Sequence, residues 1–226
     1  WILWGWAFKE LTRDRPTVCL PDDHDVFQGN LWGHGGRKAP ARQETGGYTM
    51  PAEFVNAVQR TQSSHLPDPV DPAPIEQGIS VLYADMLYGR IGFAILEDRK
   101  WKWGPRSPEA LANPEAAEML GERQLNFLRD WAGDWRGTDM KCTLSQTVFA
   151  QGHSAAGSRF DARVPSSPRP DFDSNGWPPH GREAALREIR RGFAFMYAGD
   201  NHLPTIIHHG VDAWRDSGYS FTVPSI

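Results

Sequence analysis

Four consecutive residues, Asp22-Asp23-His24-Asp25, set three carboxylates and an imidazole directly after the apolar run 17–20 and Pro21. Carboxylates this close repel and raise one another's pKa unless a cation neutralises them. A second polar cluster, Gly199-Asp200-Asn201-His202, follows another apolar run, 193–198. Oxygen and imidazole donors without thiolate clusters suit hard or borderline ions such as Mg²⁺, Mn²⁺, Ca²⁺, Zn²⁺ or iron. Two such ions a few ångströms apart would hold a phosphate ester and deprotonate a water for in-line attack. An unligated histidine beside them would then protonate the leaving alkoxide. Each cluster also has a plainer reading. "GDNH" is a good turn sequence, and "DDHD" fits a helix N-cap or a solvated acidic turn.

The elements that must carry these clusters follow from periodicity. Residues 17–20 predict a short buried strand that Pro21 stops, which puts Asp22 to Asp25 at its carboxyl end, the edge where open α/β sheets bind ligands. The opening "WILWGWAFKEL" spaces Leu3, Trp6, Ala7, Phe8 and Leu11 as an amphipathic helix whose apolar face is expected on a sheet. Residues 29–47 are glycine-rich and irregular, 51–64 return to helical spacing, and "LPDPVDPAP" is a loop. "ISVLYADML" and "IGFAILE", joined by Tyr88-Gly89-Arg90, predict an antiparallel hairpin that ends in the polar run Glu97-Asp98-Arg99-Lys100. Residues 114–135 predict a helix with Leu120, Leu125, Leu128 and Trp131 on one face, and "KCTLSQTVFA" a core strand. A long loop, 154–179, leads into the helix "REAALREIRRGF"; strands follow at "FAFMYA", "LPTIIHH" and "YSFTVPSI". Strands alternating with helices make the fold α/β.

The 226 residues, 39% of them apolar, suffice for one large domain with a sizeable core. The 24 basic and 28 acidic residues are mixed along the chain, so no basic stripe marks it as a nucleic-acid binder. Cys19 and Cys142 give no disulfide framework. No apolar stretch approaches the ~20 residues that span a bilayer, and no signal peptide opens the sequence. The start at Trp1 without an initiator Met is read as that of a fragment.

With these residues in view, the chain resembles the alkaline phosphatase D-like (PhoD-like) metallophosphatases, relatives of the calcineurin-like phosphoesterases. The landmarks are "PDDHDVFQGN", "FAILEDRKWK", "LGERQLNFLRDW", "LSQTVFA", "DSNGWPPHGR" and "AGDNH", in that order. The resemblance implies two mixed β-sheets in a sandwich flanked by helices, incomplete at both ends here, with a centre of two or more divalent or trivalent ions and a phosphate monoester or diester as substrate. It implies Asp23, Asp200 and His202 as metal ligands, His24 as proton donor and Asp25 as the carboxylate orienting it. Asp98, Arg99, Gln146, Asp173, Asn175 and His208 are expected nearby, against substrate or behind the ligands. Gln146 stands where calcineurin-like relatives carry a histidine ligand. The family's first motifs, with the Asp that bridges the metals, normally lie upstream of what corresponds to Trp1, so weak metal binding and little turnover are expected of these residues alone. Export would fit the family.

Other readings remain open on the residues. The clusters also suit a different metallohydrolase, or a non-catalytic module holding a structural ion. Asp98-Arg99 also suits a surface ion pair; His208 or His209 is either a ligand or exposed. His34, His65, His153 and His180 are read as solvated. The tryptophans are read as core, with Trp32 and Trp177 as candidates for a cleft wall. Asp22 receives no role.

Overall fold

The computed structural model describes residues 2–26, 30–40, 43–150 and 177–223. Its strands are β1 (Ala84–Tyr88), β2 (Ile91–Ile95), β3 (Met140–Ser145), β4 (Phe195–Ala198), β5 (Thr205–His208) and β6 (Tyr219–Thr222). They form one six-stranded sheet in the order β1-β2-β3-β4-β6-β5. β2, β3, β4 and β6 run parallel, and the antiparallel β1 and β5 close the two edges. The α/β class and the predicted hairpin are therefore present. The two-layer sandwich is not confirmed: the described strands make a single sheet.

The helices are α1 (Ile2–Arg13), α2 (Asp23–Val26), α3 (Ala52–Ser63), α4 (Pro108–Ala112), α5 (Gly121–Gly133) and α6 (Pro179–Arg191). α4 is capped by Ser107, whose Oγ accepts the Ala110 N–H at 3.1 Å. α5 begins later than its apolar spacing predicts, at Gly121, whose φ of +67° suits glycine and whose missing Cβ leaves room for the Trp101 indole. At its far end the Lys141 ammonium of β3 donates to the carbonyls of Trp131 and Asp134, which satisfies helix-end acceptors. α6 starts on Pro179, where a missing N–H costs nothing, and ends on Arg190 and Arg191, whose charges suit a helix C-terminus.

α5 and α6 pack on one face of the sheet. Leu128, Trp131, Ala185, Leu186 and Ile189 meet Ala94 of β2 and Met196 of β4 in the main core. The period of two along each strand sends the alternate residues to the opposite face. There Phe195, Tyr197, Tyr219 and Phe221 form an aromatic run, with Tyr197 and Phe221 stacked at 4.9 Å. This face stays partly in water: Tyr197 is 39% exposed and Ile206, paired with Phe221, 70%. Parallel strands ordinarily have both faces covered.

Two further expectations differ from the structure. Residues 17–20 make no ladder and are half-buried, so the acidic turn does not end a strand. α1 forms as its spacing predicts, but Trp6 is 74% and Leu11 54% exposed, so those two residues do not pack on the sheet. Spacing reports a helix's apolar stripe, whereas the partner for that stripe is a tertiary matter. Among the described residues no helix is long and apolar enough to cross a membrane.

Candidate metal centre

The parallel strands β2, β3 and β4 deliver their carboxyl ends side by side. After β2 the chain turns through Glu97, Asp98, Arg99, Lys100 and Lys102, all at most 5% exposed. Buried charges require partners, and Glu97, Asp98, Arg99 and Lys100 find them in the surrounding elements. Asp98 accepts from Ser145 Oγ at 3.2 Å, from the Thr147 N–H at 3.3 Å and from the Thr147 hydroxyl, at the end of β3 and just beyond it. Glu97 accepts the Leu82 N–H and pairs with the Lys100 ammonium, both at 2.6 Å. Lys100 reaches on to Gln59 of α3 and to the Ser80 carbonyl. Burial pushes the Lys100 ammonium pKa down, against the opposing pull of Glu97. Asp98-Arg99 is therefore not a surface ion pair.

Arg99 points into the acidic turn. Its Nε lies 2.6 Å from Asp22 Oδ1, and its Nη2 lies 2.9 Å from Asp200 Oδ1 and 3.8 Å from Asp23 Oδ2. Asp22, Asp23 and Asp200 each offer a carboxylate oxygen within 4.8 Å of the others. Asp200 reaches this point through a backbone φ of +65°, a left-handed conformation that aspartate tolerates better than most residues. The Asp22 carboxyl pKa is raised by burial and by the charges of Asp23 and Asp98, against the lowering effect of Arg99. One guanidinium thus offsets the crowding only in part. Three converging hard oxygens with charge left over fit a hard divalent cation.

The other expected residues fall around this cluster. His24 is exposed, with Nε2 3.8 Å from Asp23 Oδ2. Asp25 does not orient it: the Asp25 carboxylate accepts the Asp22 N–H at 2.8 Å and Gln62 Nε2 at 2.7 Å. The return from the third helical residue to the N–H before the helix is half of a capping box, so the plainer helix-cap reading holds for Asp25. Gln146 is buried and works as a tie, its Oε1 accepting the Arg99 N–H at 3.1 Å and its Nε2 donating to the Pro21 carbonyl. His202 is exposed and lies outside the acidic group. His208 stands on the edge strand β5, stacked on Tyr219 at 4.5 Å with Nε2 3.2 Å from the Ser217 carbonyl. His209 is buried, and burial lowers its pKa. Asp173, Asn175 and His153 lie outside the described residues.

Asp22, given no role from sequence, joins the cluster. Its adjacency to Asp23 was visible; that it would turn toward Arg99, 77 positions away, was not. The glycine-rich segment also gains a function. The Gly33 N–H donates to the Arg99 carbonyl at 2.8 Å and the Gly35 N–H to the Lys100 carbonyl at 2.9 Å, strapping the buried loop from outside. His34 is buried rather than solvated, stacked on Trp103 at 4.5 Å, and burial with the nearby Arg37 charge pushes its pKa down to about 4. Trp32 is buried core, and Trp177 Nε1 donates to the Trp103 carbonyl at 2.8 Å. An open cleft of about 390 Å³ adjoins the cluster, with Val18, Leu20, Leu144 and Tyr197 as apolar wall beside Asp22 and Asp200.

Comparison with known proteins bears on this arrangement through the fold. No family model matches the chain, and no curated protein matches it. A solved structure described as "Structure of PhoD" superimposes with a TM-score of 0.59 at 19% sequence identity, over 90% of this chain. The chain spans 38% of that one. At this identity the likeness shows the fold, which is PhoD-like.

Proposed function

We propose that the chain carries part of the centre of a metal-dependent phosphoesterase. The convergence within 4.8 Å of Asp22 and Asp23 with Asp200, which follows the parallel strand β4, carries this reading, and the PhoD-like fold agrees with it. Asp23 and Asp200 hold the cation, with Asp22 as a third ligand. Bound there, a divalent ion supplies Lewis acidity toward a phosphoryl oxygen and acidifies a water. His24, exposed at the lip of the cluster, gives its proton to the leaving alkoxide. The apolar wall of the neighbouring cleft receives the alcohol portion of the ester.

Hydrolysis of an aryl phosphate and of its diester, followed by absorbance in the full-length protein with Ca²⁺, Mn²⁺, Zn²⁺ or Fe³⁺ added, tests the reading. His24→Ala is expected to cut kcat 10²- to 10⁴-fold with metal-induced thermal stabilisation unchanged. Unchanged turnover in that variant removes His24 from the mechanism.

The all-carboxylate set, with His202 outside it, also suits a hard structural ion held by a non-catalytic module. Metal-induced stabilisation without hydrolysis of either ester would select that reading.

A further inference from the structure

We propose that Arg99 is a built-in counter-cation that holds Asp22, Asp23 and Asp200 together before a metal ion binds. The carboxylates come from two elements far apart in sequence, the turn at 22–23 and the turn after β4. Without compensation they would repel and splay into the adjoining cleft. Arg99 is 1% exposed, and its flat fork spans both turns, with Nε on Asp22 at 2.6 Å and Nη2 on Asp200 at 2.9 Å. A planar two-pronged donor can serve two carboxylates at once, which a lysine ammonium does less well.

The loop that presents this guanidinium is fixed on both sides. The Arg99 N–H is held by Gln146 Oε1 at 3.1 Å, and its carbonyl by the Gly33 N–H at 2.8 Å. Asp98, one residue earlier, is tied to Ser145 and Thr147. The guanidinium is therefore delivered by a rigid backbone, as a group meant to stay. Three carboxylates and one guanidinium leave a formal charge of −3 + 1 = −2, the charge one divalent cation cancels. Arg99 is in these terms a positioning residue: it acts on the substrate through the ligands it orders, as hydrogen-bonded outer groups do around other metal ions.

This inference rests on the metal reading above, and thermal melts separate the two. Wild type, Arg99→Gln and Arg99→Lys are melted in EDTA, then with excess Mn²⁺ and with excess Ca²⁺. In EDTA, Arg99→Gln is expected to melt about 10 °C below wild type, as for a buried ion pair that loses one partner, with Arg99→Lys between them. Where an ion raises the wild-type melting temperature, it raises that of Arg99→Gln further, since the ion then replaces the missing charge. A metal-free Arg99→Gln melting within 2 °C of wild type overturns the proposal. So does an ion that stabilises wild type and stabilises the variant no more. Should Arg99→Gln not fold in any buffer, the same comparisons are made on Arg99→Lys. If no ion moves any melt, the metal reading fails, and the metal-free difference alone decides whether Arg99 is the counter-ion.

Discussion

Two cations behind the acidic turn, Arg99 and Lys100, and one imidazole, His34, meet burial in different ways. Arg99 and Lys100 are nearly stripped of water, and each offsets that cost through paired carboxylates, Asp22 and Asp200 for Arg99 and Glu97 for Lys100, since stripping a partner from a buried ion pair costs about 3–5 kcal/mol. His34 solves the same problem by staying neutral. Its folded pKa of about 4 lies below the ordinary 6.5, so the unfolded chain binds the proton more readily. Stability from this residue is fully present above pH 6.5 and is lost as pH falls through 4. Allowing for partial solvent screening, the loss is about 1–2 kcal/mol. His34→Asn, which tolerates the local φ of +48°, is expected to flatten the denaturation free energy between pH 6.5 and 4 by that amount in urea titrations. A slope identical to wild type would contradict the buried neutral ring.

At the scale of elements, the candidate site depends on the strap laid over the loop after β2. Gly33 has no special backbone angle to provide; its contribution is thinness. A Cβ there would lie 2.5 Å from the Arg99 carbonyl oxygen and 2.7 Å from the Lys100 Cα, both backbone atoms that cannot swing aside. Gly33→Ala is therefore expected to cost about 1–3 kcal/mol and to displace the Arg99 loop. Calorimetric unfolding would show the first, and a smaller metal-induced rise in melting temperature the second. Helix α5 illustrates how element boundaries are settled by neighbours. Its apolar spacing extends back to Leu120, but the helix starts at Gly121, where the chain turns past the Trp101 indole.

For the whole molecule, the asymmetry of the sheet is the governing feature. Helices α5 and α6 cover one face, and the aromatic face of β4, β6 and β5 remains half in water, a patch of the kind that marks an interaction surface. The chain is expected to bind a hydrophobic fluorescent dye at neutral pH while folded. Tyr197→Lys combined with Phe221→Lys should cut that fluorescence by more than half and leave the helical circular dichroism unchanged. Undiminished fluorescence would place the dye elsewhere.

Sequence alone determined the α/β class, the hairpin, the helices at α3, α5 and α6, and the two acidic turns, because periodicity and turn chemistry act within a few residues of each other. Asp23 and Asp200 were singled out through the family resemblance, and the structure brings their carboxylates within 4.8 Å of each other. Tertiary structure decided the rest. Asp22 entered the cluster and His202 stayed outside it; Asp25 became a helix cap; Glu97 to Lys100 became a buried network. The Asp25 cap is a local contact three residues long, which the helix-cap reading of the turn had offered, but Asp22 meets Arg99 across 77 positions and Asp98 meets Ser145 across 47, and no local pattern carries such pairings. The single sheet was equally hidden, since alternation along a strand announces two faces and leaves open what covers each.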